Sequence, residues 1–420
     1  MKSLKIAIIG SGISGLSCAW LLSKKHKVYL FEKNSYFGGH ANTETVKVNS
    51  GLVDVDTGFI VFNKINYPNL CNFFNILNVR SYESEMSFAV SKNKGKFEYS
   101  GSNFDSIFSQ RKNFFNFRFY FMLYEIIKFY KNAVKDKEFY KKLSLGEYLE
   151  KKKYSDYFKF NHIYPMAASI WSASIEEITK YPFKEFVNFF SNHQLFNIFD
   201  RPKWRTVEGG SKNYVKKIIE LKRINSKKNC IVKVLERNNN FVRLEVNKRK
   251  MNFDRLVMAT HSDQVLKIIN DLQDSEKKIL KKIKYTKNEV FLHKDESLMP
   301  RLKKTWSSWN YIDESISNSN ISVTYWMNRL QDLKTKTNIF VSLNPKRIPK
   351  KKDIFKLISY EHPQFNFETF KAQKEIKNIQ GKLNTWFCGA YLGYGFHEDG
   401  IKSGLDIAEK ISGYNRPWEK

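Results

Sequence analysis

Apolar residues fill positions 6–9 (Ile-Ala-Ile-Ile) and 28–31 (Val-Tyr-Leu-Phe), with a longer apolar stretch at 13–22 between them. Short unbroken runs beside glycine suit strands buried on both faces, and the longer stretch suits a helix. The chain therefore opens strand, glycine turn, helix, strand. Further on, a helix is predicted after Gly209-Gly210, and alternating apolar positions predict strands at 230–235, 241–246 and 255–260. Shorter alternations predict strands around 87–99 and at 290–293, 322–326 and 339–343. Residues 113–134 pack aromatics around a predicted helix, interrupted by Arg118, Glu125, Lys128 and Lys131. That helix is too charged to span a bilayer. It is either buried between other helices or forms a lipid-facing or substrate-channel wall. Near the end, Thr385-Trp-Phe-Cys388 reads as a strand, followed by a glycine loop and a helix whose first turn begins near Gly400.

The opening unit carries Gly10-Ser11-Gly12-Ile13-Ser14-Gly15, and its second strand ends on Glu32-Lys33, with Glu32 lying 17 residues beyond Gly15. Gly10 permits the sharp exit from the strand, Gly12 permits backbone to approach a pyrophosphate, and Gly15 permits close packing of helix on sheet. The pyrophosphate would sit on free N–H groups at the positive end of the helix. A carboxylate at Glu32 can accept from both hydroxyls of an adenosine ribose, which favours FAD or NAD over NADP.

Two further glycine elements bear on that choice. Gly38-Gly39-His40 follows the acid closely, and Asp56-Thr57-Gly58 comes soon after. The third is the segment from Gly389 to Asp399-Gly400, with His397 and Glu398 beside its predicted helix start. The chain resembles the flavoproteins related to amine oxidases, protoporphyrinogen oxidases and phytoene desaturases, in which such a loop wraps the diphosphate and ribityl chain. In those families the C-terminal segment completes the FAD site, its helix N-terminus stabilising charge on the reduced flavin. The resemblance thus implies FAD, with backbone near Val232 bonding the adenine. It becomes closer at Arg201-Pro-Lys-Trp204, Gly209-Gly210-Ser211, Ala259-Thr-His261-Ser-Asp263, Trp306-Ser-Ser-Trp309-Asn-Tyr311 and Gly395-Phe-His-Glu-Asp-Gly400. These motifs are similar to one bacterial family of predicted NAD/FAD-binding, amine-oxidase-like proteins, often encoded beside methyltransferases similar to cyclopropane fatty acid synthase.

The fold expected is α/β: a Rossmann-type FAD-binding domain (1–80, 205–268 and 380–420) interleaved with an α+β substrate domain (81–204 and 269–379). Amine oxidases often place a lysine near flavin N5, on a strand falling around 285–292, but Lys287 cannot be distinguished there from a lysine facing water. Trp171, Trp309, Tyr311, Trp326 and Tyr391 are candidate substrate-wall residues, Trp306 sharing their motif. His397 and Glu398 are the candidates for proton handling, with His40 and His261 in loop or cofactor-shell roles.

Composition refines the picture modestly. The formal charge is +30, with lysines dispersed among abundant Asn, Ile, Phe and Tyr, as AT-rich coding would produce; attraction to anionic phospholipid is the functional alternative. No nucleic-acid-binding signature is found, and none is expected as a partner. Cys18, Cys71, Cys230 and Cys388 have neither disulfide-framework nor metal-ligand spacing. Residues 6–22 mimic a signal segment but carry the glycine fingerprint, so a cytoplasmic protein, peripheral on the inner membrane face at most, is expected. No second nucleotide fingerprint follows the strand at 255–260, and no G-x-S-x-G elbow occurs. The expected function is an FAD-dependent oxidoreductase that dehydrogenates or desaturates an apolar substrate, such as a modified fatty acyl chain of membrane lipid. The alternatives are a flavin amine oxidase, a flavin-dependent isomerase and a non-catalytic membrane-surface protein. Oligomeric state and electron acceptor are left open.

Overall fold

The two unbroken apolar runs become the middle of a parallel sheet. In a computed structural model, which describes residues 3–197, 201–314 and 322–419, the strand Lys5–Ile9 lies between Lys27–Phe31 and Arg255–Met258. Ile224–Lys227 and Thr385–Phe387 form the edges. Alternation within the first strand divides its side chains between two covers. Ile6 and Ile8 pack under the helices Ile13–Leu22 and His397–Ser412. Ala7 and Ile9 pack under the antiparallel meander of Val232–Arg237, Val242–Val246 and Arg249–Phe253. A strand covered on both sides has no polar face, hence the continuous run. The two covering helices cross closely because Gly404 has no side chain: a Cβ there would lie 2.2 Å from the Ser14 carbonyl oxygen.

The second layer is a seven-stranded mixed sheet in the order Ile354–Pro363, Tyr285–His293, Phe340–Leu343, Val323–Trp326, Trp309–Asp313, Phe88–Lys92, Phe97–Ser100. Helices Phe117–Asp136, Leu145–Lys151, Tyr164–Trp171 and Phe183–Asn192 enclose an aromatic core with one face of it. Tyr148 stacks on Phe183 with centroids 3.7 Å apart. The opposite face carries a smaller cluster of Met299, Trp306 and Phe340, with Trp326 against it. On the meander, fully buried Arg237 pairs with Glu276 at 2.7 Å and Asp271 at 2.9 Å, and the Glu276 side chain is equally buried.

Two elements depart from expectation. The ten-residue strand Ile354–Pro363 is not predicted from the sequence, because it is an edge strand, largely half-exposed, without a clean apolar alternation. The last helix begins at His397 rather than near Gly400, since the Asp399 carboxylate accepts from the Phe396 N–H at 2.9 Å and caps the helix earlier. Among the described residues no helix is long and apolar enough to cross a membrane.

Candidate active site

The glycine fingerprint separates into structural positions and one open position. Gly10 has φ of +100°, and a Cβ there would lie 2.6 Å from the Ala259 carbonyl oxygen. A Cβ at Gly15 would lie 2.0 Å from the Gly10 carbonyl oxygen. At Gly12, at the cap of the first helix, a Cβ would meet nothing within 4 Å. Open space over backbone at a helix start is the cradle a pyrophosphate requires. Glu32 borders this space, accepting from the Ser11 N–H (3.0 Å) and hydroxyl (2.6 Å) and from the Asn34 N–H (2.8 Å). A carboxylate has about four lone-pair positions, so capacity remains for a ribose hydroxyl. The Cys230 N–H donates to the Glu32 carbonyl at 2.8 Å, bringing buried Val232 alongside. Lys33 points to solvent, whereas Ile13 and Ser14 are buried in the helix packing.

The second glycine loop folds over the first. Gly38 donates to the Ser11 carbonyl at 3.1 Å, and a Cβ on Gly39, whose φ is +61°, would lie 3.2 Å from Gly12 Cα. A Cβ at Gly58 would collide with the His40 carbonyl oxygen at 2.3 Å. Thr57 Oγ1 is 2.8 Å from the Tyr360 hydroxyl. Asp56, fully buried, accepts from the Ser211 N–H (2.9 Å) and hydroxyl (2.7 Å), from the Thr43 hydroxyl (2.6 Å) and from Gln331 (3.1 Å). Desolvation pushes its carboxyl up to about 6 despite those donors. The Gly209-Gly210-Ser211 motif thus anchors the hairpin of Thr43–Val48 and Gly51–Asp56; a Cβ at Gly210 would lie 2.5 Å from the Thr43 side chain.

Where the two sheets meet, neutral rings converge. His40 stacks on Tyr360 at 4.7 Å and lies 5.1 Å from His362 and 6.4 Å from His261, which stacks on Tyr285 at 4.4 Å. The Nε2 atom of His40 is buried and finds no partner among the described residues. Burial, then the neighbouring imidazoles, drive His40 well below its ordinary value, and burial brings His362 to about 4. Asn288 Nδ2 is 2.8 Å from His362 Nδ1, and Asn288 Oδ1 accepts from Asn344 at 2.7 Å. Lys287 is exposed and the neutral Asn288 takes the inward position, which resolves the question left by the sequence. Tyr360, His362 and Asn288 are site residues that sequence reasoning missed. The available signal was Tyr-x-His at 360–362, which strand parity puts on one face.

His397 and Glu398, the residues expected to handle protons, are both engaged by protein partners. Glu398 accepts from the Asn69 N–H (2.9 Å), the Asn69 side chain (2.7 Å) and the Leu70 N–H (3.0 Å), capping the helix Pro68–Ile76. His397 lies flat on Phe59 at 3.6 Å with Nε2 3.0 Å from the Tyr214 hydroxyl, and burial pushes it down to about 3. These contacts tie the start of the last helix to the helix Pro68–Ile76 and to Tyr214. Gly389 donates to the Ser403 hydroxyl at 3.0 Å, and a Cβ at Gly400 would lie 2.6 Å from Ile13. These residues, with Asp399, hold the C-terminal helix against the fingerprint helix.

The aromatic candidates divide. Trp171, packed by Tyr181 (4.5 Å) and Phe189 (4.7 Å), shares the aromatic core with Tyr311 and with Trp309, which meets Tyr325 edge-on at 4.9 Å. The indole nitrogens of Trp171 and Trp309 and the Tyr181 hydroxyl are buried without partners among the described residues. Trp326 does not belong to this wall: parity puts it on the opposite face, where it bonds Asn338 at 3.0 Å. Tyr391 packs into the core beneath the meander, also away from that wall.

Comparison with known proteins bears on the fold. Residues 8–77 match the family model described as an NAD(P)-binding Rossmann-like domain. No curated protein matches the sequence significantly. Among solved structures, the fold is similar to cyclohexylamine oxidase from Brevibacterium oxydans (13% identity, 98% of this chain and 100% of that one, TM-score 0.69). It is similar also to a putrescine oxidase bound to putrescine (12%, 98% and 100%, TM-score 0.65). A third is the CLA-producing fatty acid isomerase from P. acnes (14%, 98% and 99%, TM-score 0.64). The chain shares its α/β fold with these oxidases and the isomerase, and its opening residues match a Rossmann-like domain.

Proposed function

We propose that the protein is an FAD-dependent oxidoreductase that dehydrogenates or desaturates an apolar substrate, a modified fatty acyl chain of membrane lipid being the preferred class. Bound FAD would supply hydride acceptance at a carbon brought against its N5 atom. Gly12 and Gly39 would face its pyrophosphate, Glu32 its ribose and Val232 its adenine, with His40, Thr57 and the start of the His397–Ser412 helix around its ring. The substrate domain in this reading is 81–204 with 269–379. Its wall comprises Trp171, Trp309 and Tyr311, which would orient the chain and exclude water.

One observation carries the apolar substrate. The inward residue of the strand Tyr285–His293 is neutral Asn288, the rings beside it are neutral, and the core behind is aromatic. The nearest carboxylate, Glu361 at 3.5 Å from His261 Nδ1, is half-exposed and leaves its strand on the parity opposite to Tyr360 and His362, so a charged amine against Asn288 would lose hydration without a carboxylate beside it. The amine oxidases of similar fold therefore support the cofactor more than the substrate. Flavin-bound isomerisation without net redox change is the second reading, favoured by the similarity to a fatty acid isomerase. We place the protein on the cytoplasmic side, in peripheral contact with the inner membrane.

The test starts with the visible spectrum and chromatographic identification of any released chromophore. Anaerobic mixing with acyl lipids and with an amine panel follows. Bleaching of the flavin bands by lipid supports the proposal, and bleaching only by amines, with peroxide release in air, overturns it. Product formation from lipid without oxidant consumption selects the isomerase.

A further inference from the structure

The helix Phe117–Asp136 has two unlike faces. Inward, Phe119, Met122 and Phe129 are fully buried in the same aromatic core as Trp171, Tyr311 and Tyr325. Outward, Phe117 is 90% exposed, Phe121 53% and Tyr124 56%, with Tyr120 and Ile127 also exposed. Phe115, just before the helix, is 90% exposed, and Phe104 lies within the same ring cluster through Phe108. Monomeric soluble proteins rarely leave so many large rings together in water. The spacing 117, 120, 121, 124, 127 marks one stripe of the helix, and Lys128, Lys131 and Lys135 continue it toward the C-terminus.

Charge on this helix is segregated. Its two acids are turned away: Glu125 is buried and accepts from the Ser155 N–H at 2.8 Å, and Asp136 accepts from the Tyr148 hydroxyl at 2.8 Å and pairs with Lys152 at 2.9 Å. The outward stripe is left with apolar and aromatic side chains and cations, and no acid. Lys131 and Lys135 are exposed, and Lys128 is half-buried with its ammonium 5.3 Å from the Tyr154 ring. Exposed Phe and Tyr beside unopposed lysines are the two parts of an interfacial helix. The rings enter the acyl boundary and the ammonium groups meet anionic headgroups.

We propose that this stripe docks the protein on an anionic bilayer, with Phe117, Phe121 and Tyr124 as the inserted side chains. The opposite face of the same helix lines the core proposed to receive the substrate, so docking puts that core one helix away from the lipid. The inference rests on the apolar-substrate reading for its purpose, but not for its evidence.

The test is co-flotation of the full FAD-loaded chain with vesicles of pure phosphatidylcholine or of phosphatidylcholine with phosphatidylglycerol. Binding is expected to the anionic vesicles and to weaken with salt. Lys128→Gln/Lys131→Gln/Lys135→Gln is expected to lose on the order of 100-fold in partitioning, about fivefold per charge. Phe117→Ser/Phe121→Ser should lose binding at every salt concentration. Lys248→Gln/Arg249→Gln/Lys250→Gln, on the hairpin of the meander, should bind as the parent does. Equal binding to both vesicles, a loss confined to the hairpin variant, or a Phe117/Phe121-dependent dimer in place of vesicle binding would each overturn the proposal. Flavin reduction by detergent-dispersed acyl lipid, retained in the docking variants, separates failure of docking from failure of the chemistry.

Discussion

Gly12→Ala and Gly15→Ala are expected to fail in different ways. At Gly15 an added methyl would sit 2.0 Å from the Gly10 carbonyl oxygen and 3.2 Å from Ala259 Cβ, and neither backbone nor a Cβ can swing aside. The cost should exceed the ~3 kcal/mol at the upper end of ordinary overpacking, and folding itself should suffer. At Gly12 the same methyl meets nothing within 4 Å, and the backbone is at φ −64°, which alanine adopts without strain. Less favourable capping by Ala is offset by a less flexible unfolded chain, so apoprotein stability should change by less than about 1 kcal/mol. The space is empty only while no pyrophosphate fills it. A methyl there should cost ~1–3 kcal/mol of binding, or about 5- to 150-fold in Kd for FAD. The assays are urea unfolding of the FAD-stripped protein and quenching of FAD fluorescence on titration. Parent-like FAD affinity in Gly12→Ala would refute the assignment of that space to the cofactor. Unfolding of Gly12→Ala as severe as that of Gly15→Ala would refute the packing distinction.

Three further outcomes follow from the same contacts. Glu398→Gln should cost ~1–3 kcal/mol in unfolding experiments through loss of the Asn69 and Leu70 cap, with kcat of the folded enzyme unchanged; a hundredfold fall in kcat at parental stability would restore a catalytic role. Arg237→Ala should cost ~3–5 kcal/mol by stranding buried Glu276, and a change below 1 kcal/mol would show that water reaches that pair. For pH, His162 and His397 are held at about 3, and His193, His293 and His362 at about 4. Their unfolded forms take up protons below about 6.5 and their folded forms do not, so stability falls as pH drops through that window. Asp56 and Asp399, raised to about 6, and Glu398, also raised by burial, act in the opposite sense but are fewer. The melting temperature should therefore fall from pH 7 to pH 5, and a rise would refute the burial of these histidines.

What could be read from the sequence was what is local in the chain. Gly10, Gly12, Gly15 and Glu32 act on one another within 23 residues, so spacing alone carries their arrangement. Glu398 could not be read this way, because its donors lie 329 and 328 residues away and a carboxylate in a glycine loop looks the same whether it caps or catalyses. Trp309 and Trp326 differ only in parity, and the face each one takes depends on sheet partners that spacing does not reveal. Tyr360 and His362 were hidden by their edge strand, whose pairing with Asn288 and Thr286 comes from backbone bonds rather than an apolar pattern.

The rings at the junction of the sheets bear on how the reaction depends on pH. Burial lowers His40, His261, His362 and His397 from the ordinary imidazole value, the same cause raises Tyr360 above the ordinary phenol value, and Asn288 does not titrate. An apolar substrate brings no titrating group either. Desaturation would send a hydride to the flavin and a proton to a base, and the imidazoles of His40 and His362, kept neutral by burial, would already be in the proton-accepting form near neutrality. The rate of flavin reduction by an acyl substrate should then be flat between pH 6 and 9, measured by anaerobic stopped-flow. An amine must lose its proton before oxidation, so its kcat/KM would rise with pH toward the amine's own pKa. A bell or a rising limb with an acyl substrate would require an ionising group that these neutral rings do not supply, and would refute the assignment of the reaction to this junction.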